Sequence, residues 1–403
     1  INGSGFDTAT PSNNLVYFNS SSAASVNSAS SGALTVTLPA CGSSSSPHPG
    51  PVLVKVGSTT AASSTEFVPT INHTQAVNSL IGSTQAPLDG VTVSVIGRSD
   101  ITPALSNASG VFSVSGIPTG IPYRLLMSKS PYIPVNTAYY TAFNSVNNTT
   151  SPFALPDATT YAGWSIASAG EGAIRTRVTD SSGNSLSGAV VTATSLLYGS
   201  ASQHTIAYGS ACTGTGSTAS DGLFCVKNIE PGDVMLVMAT KQGYNFTPRF
   251  FDGISNTLGQ SRLNGVVSPY ITSLTNAVPT ASITIYGGNF SATPGNNTVI
   301  FTGGQYGTVT GASASQLTVT VPCGAQSGPV TVYANGQNTT SSGSMTIPAP
   351  TITGISPNPA TYGDTVVIEG TNFYNCYASP GQISLTMPGS ISLPYTGGDS
   401  VYI

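Results

Sequence analysis

Apolar side chains recur two residues apart in short runs along the whole chain: LTVTLP at 34–39, VLVKV at 52–56, VTVSVI at 91–96, LTVTVP at 317–322 and PVTVY at 329–333. A period of two puts the apolar side chains of a run on one face of an extended strand, so each run predicts a strand half buried in a sandwich. No segment shows the i, i+3, i+4, i+7 spacing of an amphipathic helix, and 45 glycines with 28 prolines interrupt the chain every few residues. Strands roughly ten residues apart with turn residues between them predict an all-β chain of small sandwiches. At 403 residues the chain is too long for one core, which predicts several domains.

One strand ending repeats. VVIEGTNF closes at Phe373, ITIYGGNF at Phe290 and INGSGF at Phe6. In this Gly-x-Asn-Phe corner Gly370 is expected to let the strand turn, Asn372 to hold a left-handed or side-chain-capped residue, and Phe373 to drop into the core. Longer tracts follow the same course around each corner. Residues 267–348 run through NTVIF, LTVTVPC, GPVTVY and SMTI, and residues 1–69 through NLVYF, LTVTLPAC, GPVLVKV and TEFVP. Residues 349–403 repeat the front, TITGISPNPATYGDTVVIEGTNF, and end on DSVYI. This order resembles the IPT/TIG family of immunoglobulin-like domains over about half the chain. By that resemblance the first copy lacks its opening strand and the last its closing strands, so the chain reads as a mature or internal piece of a longer array.

Two units of another kind lie between, at 70–160 and 161–266. They share L-x-G-x-x-V (PLDGVTVSV, SLSGAVVTA), an S/D-G-x-F hairpin, an I-x-x-G turn and a Lys followed by Tyr. Together these features resemble the carboxypeptidase regulatory-like fold, a small transthyretin-like sandwich. The expected architecture is a linear array of five small β-sandwiches, Ig-like and transthyretin-like, the first and last incomplete. Trp164, the only tryptophan, is expected to pack between the two middle modules.

Composition narrows the function. Charged residues are 6% of the chain, against roughly 25% in ordinary globular proteins, and Ser, Thr, Asn and Gly stand in their place. A net charge of −4 steers nothing strongly, so neither nucleic acid nor an anionic membrane is an expected partner. No apolar run approaches the roughly 18 residues of a membrane span, so no membrane insertion is expected. Five cysteines in a Ser/Thr-rich chain predict a secreted or cell-surface protein in an oxidising compartment.

Candidate chemistry is sparse, and no catalytic residue, cofactor or metal site is expected. His48, His73 and His204 lack metal-ligand spacing and read as surface or loop histidines. Asp180 and Asp221 fall at turns, where a carboxylate bonding its own backbone is the simpler reading than a calcium ligand. Ten Asn-x-Ser/Thr sequons are close to the roughly seven expected by chance, so glycosylation stays open. Cys212 and Cys225 flank a hairpin approach and are expected to pair. Cys323 follows the Pro that ends a strand and Cys376 follows a corner, which in a head-to-tail array predicts a bridge locking two modules, with two buried free thiols as the alternative. Cys41 is left as a buried thiol or a bond to a neighbouring subunit.

The functional expectation is a non-catalytic extracellular structural protein that builds a stalk, fibre or layer with copies of itself. Alternatives are an adhesin or carbohydrate-binding arm, with Tyr139 and Tyr140 of SPYIPVNTAYYTAF stacking on glycans, and an accessory region of a secreted polysaccharide-degrading enzyme. For the tyrosines, core and joint packing is the simpler reading.

Overall fold

The computed structural model describes residues 1–39, 48–361, 366–372 and 400–402. The chain is all-β, arranged as successive small sandwiches, with a single six-residue α-helix among the described residues. It divides into two compact units: Ile1–Thr179 with Gly183–Ala239 and Thr247–Leu263, and Asp180–Ser182 with Thr240–Phe246 and Asn264–Ile403.

The first unit opens with β1 (Asn14–Phe18), β2 (Val26–Ala29), β3 (Leu34–Val36), β4 (Gly50–Val56) and β5 (Thr59–Phe67), in antiparallel sheets β1-β4-β5 and β2-β3. Their inward residues Val16, Phe18, Leu34, Val52 and Val54 form a closed core, as the alternation requires.

Next come β6 (Thr70–Ile81), β7 (Thr84–Pro87), β8 (Thr92–Val95), β9 (Ala104–Leu105), β10 (Val111–Pro118), β11 (Leu125–Ser128), β12 (Val135–Asn136) and β13 (Val146–Pro156). The helix α1 (Ala158–Gly163) follows, started by Asp157, whose Oδ1 accepts the Thr160 N–H at 2.8 Å. Then β14 (Gly172–Asp180), β15 (Val190–Ser195), β16 (Thr205–Tyr208), β17 (Leu223–Ile229), β18 (Val234–Thr240), β19 (Tyr244–Phe246), β20 (Arg249–Asp252), β21 (Leu258–Gly259) and β22 (Leu263–Val267) complete the middle of the chain. The sheet β10-β6-β13, with β7 beside β6, serves the second module, and β15-β18-β20 the third. The remaining path, β16-β17-β14-β21-β12-β11-β8-β9, runs without a break from the third module into the second. One hydrophobic cluster follows it, from Ile71 and Phe112 through Trp164 to Cys225 and Leu258. Trp164 is buried in this cluster with Tyr161 and Arg175 against its ring, and the two modules share a sheet and a core instead of closing separately.

In the second unit β19 pairs with the end of β22. The strands β23 (Tyr270–Leu274), β24 (Ser282–Gly288), β25 (Asn297–Thr302), β26 (Gln305–Ser313), β27 (Gln316–Thr320), β28 (Gln326–Ala334) and β29 (Gln337–Met345) wrap in the order β23-β24-β27-β26-β25-β28-β29 around Ile283, Phe301, Val319 and Val332. Last, β30 (Thr351–Ser356), β31 (Val367–Thr371) and β32 (Ser400–Tyr402) pair antiparallel.

The repeats match down to single hydrogen bonds. Buried Asn14 and Asn297 each donate to two loop carbonyls and accept one N–H, from Asp7 and Ser291 respectively, both at 2.9 Å. The Val52 and Val330 N–H groups each donate to a serine hydroxyl, Ser63 at 2.9 Å and Ser341 at 3.0 Å. In the middle pair, the buried hydroxyls of Ser106 and Thr218 accept from Val91 and Ala189 and donate to the carbonyls of Leu88 and Leu186. The hairpin glycines Gly110 and Gly222 have φ of 73° and 65°, and a Cβ there would lie 2.4 and 2.6 Å from the carbonyls of Val77 and Val178. Only glycine fits such a place.

The corner bears out the expected left-handed residue and differs only in what its glycine does. Its third residue is left-handed in every copy, with φ of 77° at Gly5, 60° at Asn289 and 61° at Asn372. Its first residue is glycine for space: a Cβ on Gly3 or Gly287 would stand 2.7 Å from the ring of Phe6 or Phe290, and on Gly287 also 1.9 Å from the Tyr270 carbonyl. The glycine lets the phenylalanine fold back under its own strand. Phe373 lies outside the described residues.

Candidate functional site: the joint between the middle modules

The residues singled out for chemistry do not converge. His48 is exposed in a loop and His204 lies beside β16, bonded to Ser202 Oγ at 2.8 Å and the Ala193 carbonyl at 3.1 Å. His73 departs from its surface assignment. It is fully buried on β6, with Nδ1 2.8 Å from the Tyr123 hydroxyl and Nε2 3.0 Å from Gln75 Oε1. The polar run NHTQ hides this because β6 lies between β10 and β13, so a central strand buries even its polar residues. Burial holds the imidazole below its ordinary pKa, against the Gln75 bond.

Asp180 and Asp221 accept N–H groups two residues on, from Ser182 at 2.9 Å and Leu223 at 3.0 Å. Among the described residues no three His, Cys, Asp or Glu side chains gather as a metal site, and no helix is long and apolar enough to cross a membrane. Cys212 and Cys225, both fully buried, form a disulfide with Cα atoms 5.7 Å apart. Cys323 is disulfide-bonded, while Cys41 and Cys376 lie outside the described residues.

The densest polar arrangement is the joint between the second and third modules. β21 enters between β12 and β14 and pairs parallel with both. The Leu258 N–H donates to the Pro134 carbonyl at 2.9 Å and the Gln260 N–H to the Asn136 carbonyl at 2.8 Å. The Gln260 side chain imitates a strand, accepting the Ala154 N–H at 3.0 Å and donating to the Ala154 carbonyl at 2.7 Å. Ser261 Oγ accepts from Ala138 at 3.0 Å.

Beside this ladder Arg124 of the second module forms an ion pair with Asp252 of the third, whose side chain is 11% exposed. Tyr139 ties them: its hydroxyl accepts from Arg124 and donates to Asp252 Oδ1 at 3.3 Å, and the guanidinium lies 4.6 Å from its ring centroid. Burial raises the Asp252 carboxyl above the usual range although Arg124 opposes the shift. Tyr140 turns inward against His73 and Tyr123. The two tyrosines are thus used in the joint and the core. Neither feature was legible locally, since Arg124 and Asp252 belong to different repeats. Chemically the set is a clamp: it holds two sheets in register, and it contains no nucleophile beside a base.

No family model matches the chain. Over 74 residues it is 36% identical to chitinase ChiA of Flavobacterium johnsoniae, a stretch that is 17% of this chain and 5% of that protein. The chain therefore spans a small part of that relative's length. Among solved structures, a streptococcal ancillary pilin aligns over 81% of this chain and 96% of its own at 12% identity and a TM-score of 0.22. The shaft pilin SpaA of Lactobacillus rhamnosus GG aligns over 50% of this chain and 100% of its own at 9% identity and a TM-score of 0.18. An auxiliary nutrient binding protein from Bacteroides thetaiotaomicron aligns over 21% and 22% at 22% identity and a TM-score of 0.20.

Proposed function

We propose that this chain is a non-catalytic structural element of the extracellular space, whose β-sandwich modules build a stalk, fibre or layer together with further copies of the chain. The observation that carries the reading is the continuous sheet across the middle pair. A flexible linker between modules costs little and fixes nothing. Backbone pairing on both sides of β21, a side-chain ladder at Gln260 and a shielded ion pair resist bending at the point where a string of modules would otherwise hinge. Such a joint makes shape the product. The buried Cys212–Cys225 bridge supports an oxidising compartment. Negative-stain microscopy of the purified chain tests the reading: ordered fibres or sheets are expected, and monodisperse particles at every concentration would overturn self-association.

The likeness to part of a chitinase favours a second reading, in which the modules serve as a non-catalytic spacer in a secreted polysaccharide-degrading enzyme. A catalytic domain encoded in the same open reading frame would decide for it. The sugar-stacking role of Tyr139 and Tyr140 is disfavoured by their use in the joint and the core.

A further inference from the structure

Beside the joint lies a concavity of about 230 Å³ that Arg175, Arg177 and Arg262 share with Leu80, Gln85 and Pro152. We propose that it binds the carboxylate of an acidic polysaccharide. The chain has ten lysines and arginines in all, and three meet in this groove without one aspartate or glutamate in its lining. Arg175 and Arg177 are two apart on β14 and therefore on one face of the sheet. Arg262 follows the Gln260–Ser261 ladder that fixes its approach.

Their electrostatics are unbalanced. Burial and then the charge of Arg177 push Arg175 down to about 10 and lower Arg262 as well, with Asp221 acting back on Arg175 alone. Like charges placed together and partly desolvated are costly until an anion joins them. Arg175 is already oriented: its guanidinium lies 3.9 Å from the Trp164 ring centroid, Nη2 donates to the Ser210 carbonyl at 3.0 Å, and its buried Nε has no partner. Among the described residues neither Arg177 nor Arg262 forms an ion pair. A guanidinium fork matches a carboxylate in two parallel hydrogen bonds.

The surroundings favour a saccharide over an acidic peptide. Pro152, backed by the buried Leu80, offers apolar surface to the C–H face of a sugar ring, and the exposed Gln85 amide offers a partner for a hydroxyl. A peptide that binds by strand addition needs a sheet edge, whereas β14 is paired on both sides and its arginines stand on the face. With a net charge of −4 the chain has no long-range pull on anions, so contact is short-ranged and salt-sensitive.

Calorimetric titration of the full chain with a galacturonic acid hexamer, a neutral glucose hexamer and a poly-glutamate peptide tests the assignment. Binding is expected for the acidic saccharide alone, weakened by added salt and reduced about tenfold or more by Arg177→Gln or Arg262→Lys. Arg98→Gln, at an exposed ion pair with Asp100 elsewhere, is expected to change nothing. Arg177 is exposed, so its variant is expected to melt like the parent and report binding only. Absence of saccharide binding, equal binding of the neutral hexamer, stronger binding of the peptide, or an equal loss in Arg98→Gln would each overturn the proposal. Loss of saccharide binding leaves fibre formation unaffected, so this reading and self-assembly fail separately.

Discussion

Asn289 does two jobs at its corner. Its φ of 60° is a conformation most residues avoid, and its Nδ2 donates to the carbonyls of Ser268 at 2.8 Å and Gly243 at 3.1 Å. Asn289→Ala loses both and is expected to cost about 2 kcal/mol, while Asn289→Gly keeps the backbone and costs less; urea midpoints separate the two. Gly287→Ala is expected to cost more, about 3 kcal/mol or above, because its Cβ would meet backbone and not a movable side chain. His73 makes stability depend on pH. Folding keeps it neutral among Tyr123, Gln75, Tyr140 and Phe112, whereas the unfolded chain takes up a proton below its ordinary value of about 6.5. The contribution is complete above that value and falls as the solution is acidified toward the lowered folded pKa. The melting temperature is expected to drop between about pH 7.5 and pH 5, and His73→Gln to flatten that slope. The corner and its asparagine were legible because they act on their own backbone. The burial of His73 was not, since it depends on strands arriving from elsewhere.

Alternation located β3, β4, β8, β27 and β28, and the hairpin glycines located turns, but the two longest strands, β6 and β13, carry too many polar residues to show it. The pattern also passed over α1, which is too short for a periodic face, and over the two-residue strands β9, β12 and β21, which exist only because a partner presents a free edge. Asn14 and Asn297 were missed too, although both stand directly after a P-x-N turn (PSN, PGN); that recurrence was the available signal. The bridge closing the loop between Cys212 and Cys225, 13 residues apart, belongs to this scale. Replacing both cysteines by serine is expected to remove about 3 kcal/mol, measured as a lower urea midpoint with the loop's amide protons less protected.

Across the middle of the molecule, the shared sheet and core predict that the second and third modules unfold together. Calorimetry should find one transition for the pair. Asp252→Ala leaves the Arg124 charge without its partner in a partly buried place, at an expected cost of about 2 kcal/mol. Combined with Tyr139→Phe it should split that transition in two, and a pair that stays cooperative would place the coupling in the backbone ladder instead. The groove of three arginines arises at this scale as well, because Arg262 meets Arg175 only through the same crossing.

The all-β class, the order of the repeats, the left-handed asparagine and the hairpin glycines follow from the sequence by itself. Each is set by side-chain period or by backbone constraints within a few residues. Which edges meet is another matter. Gln260 reaches Ala154 across 106 residues, and the two-residue β21 lies between β12 and β14, pairing parallel with both. A pairing between distant segments leaves no periodic mark in either of them, so the stiff joint and its basic groove were decided by the tertiary structure alone.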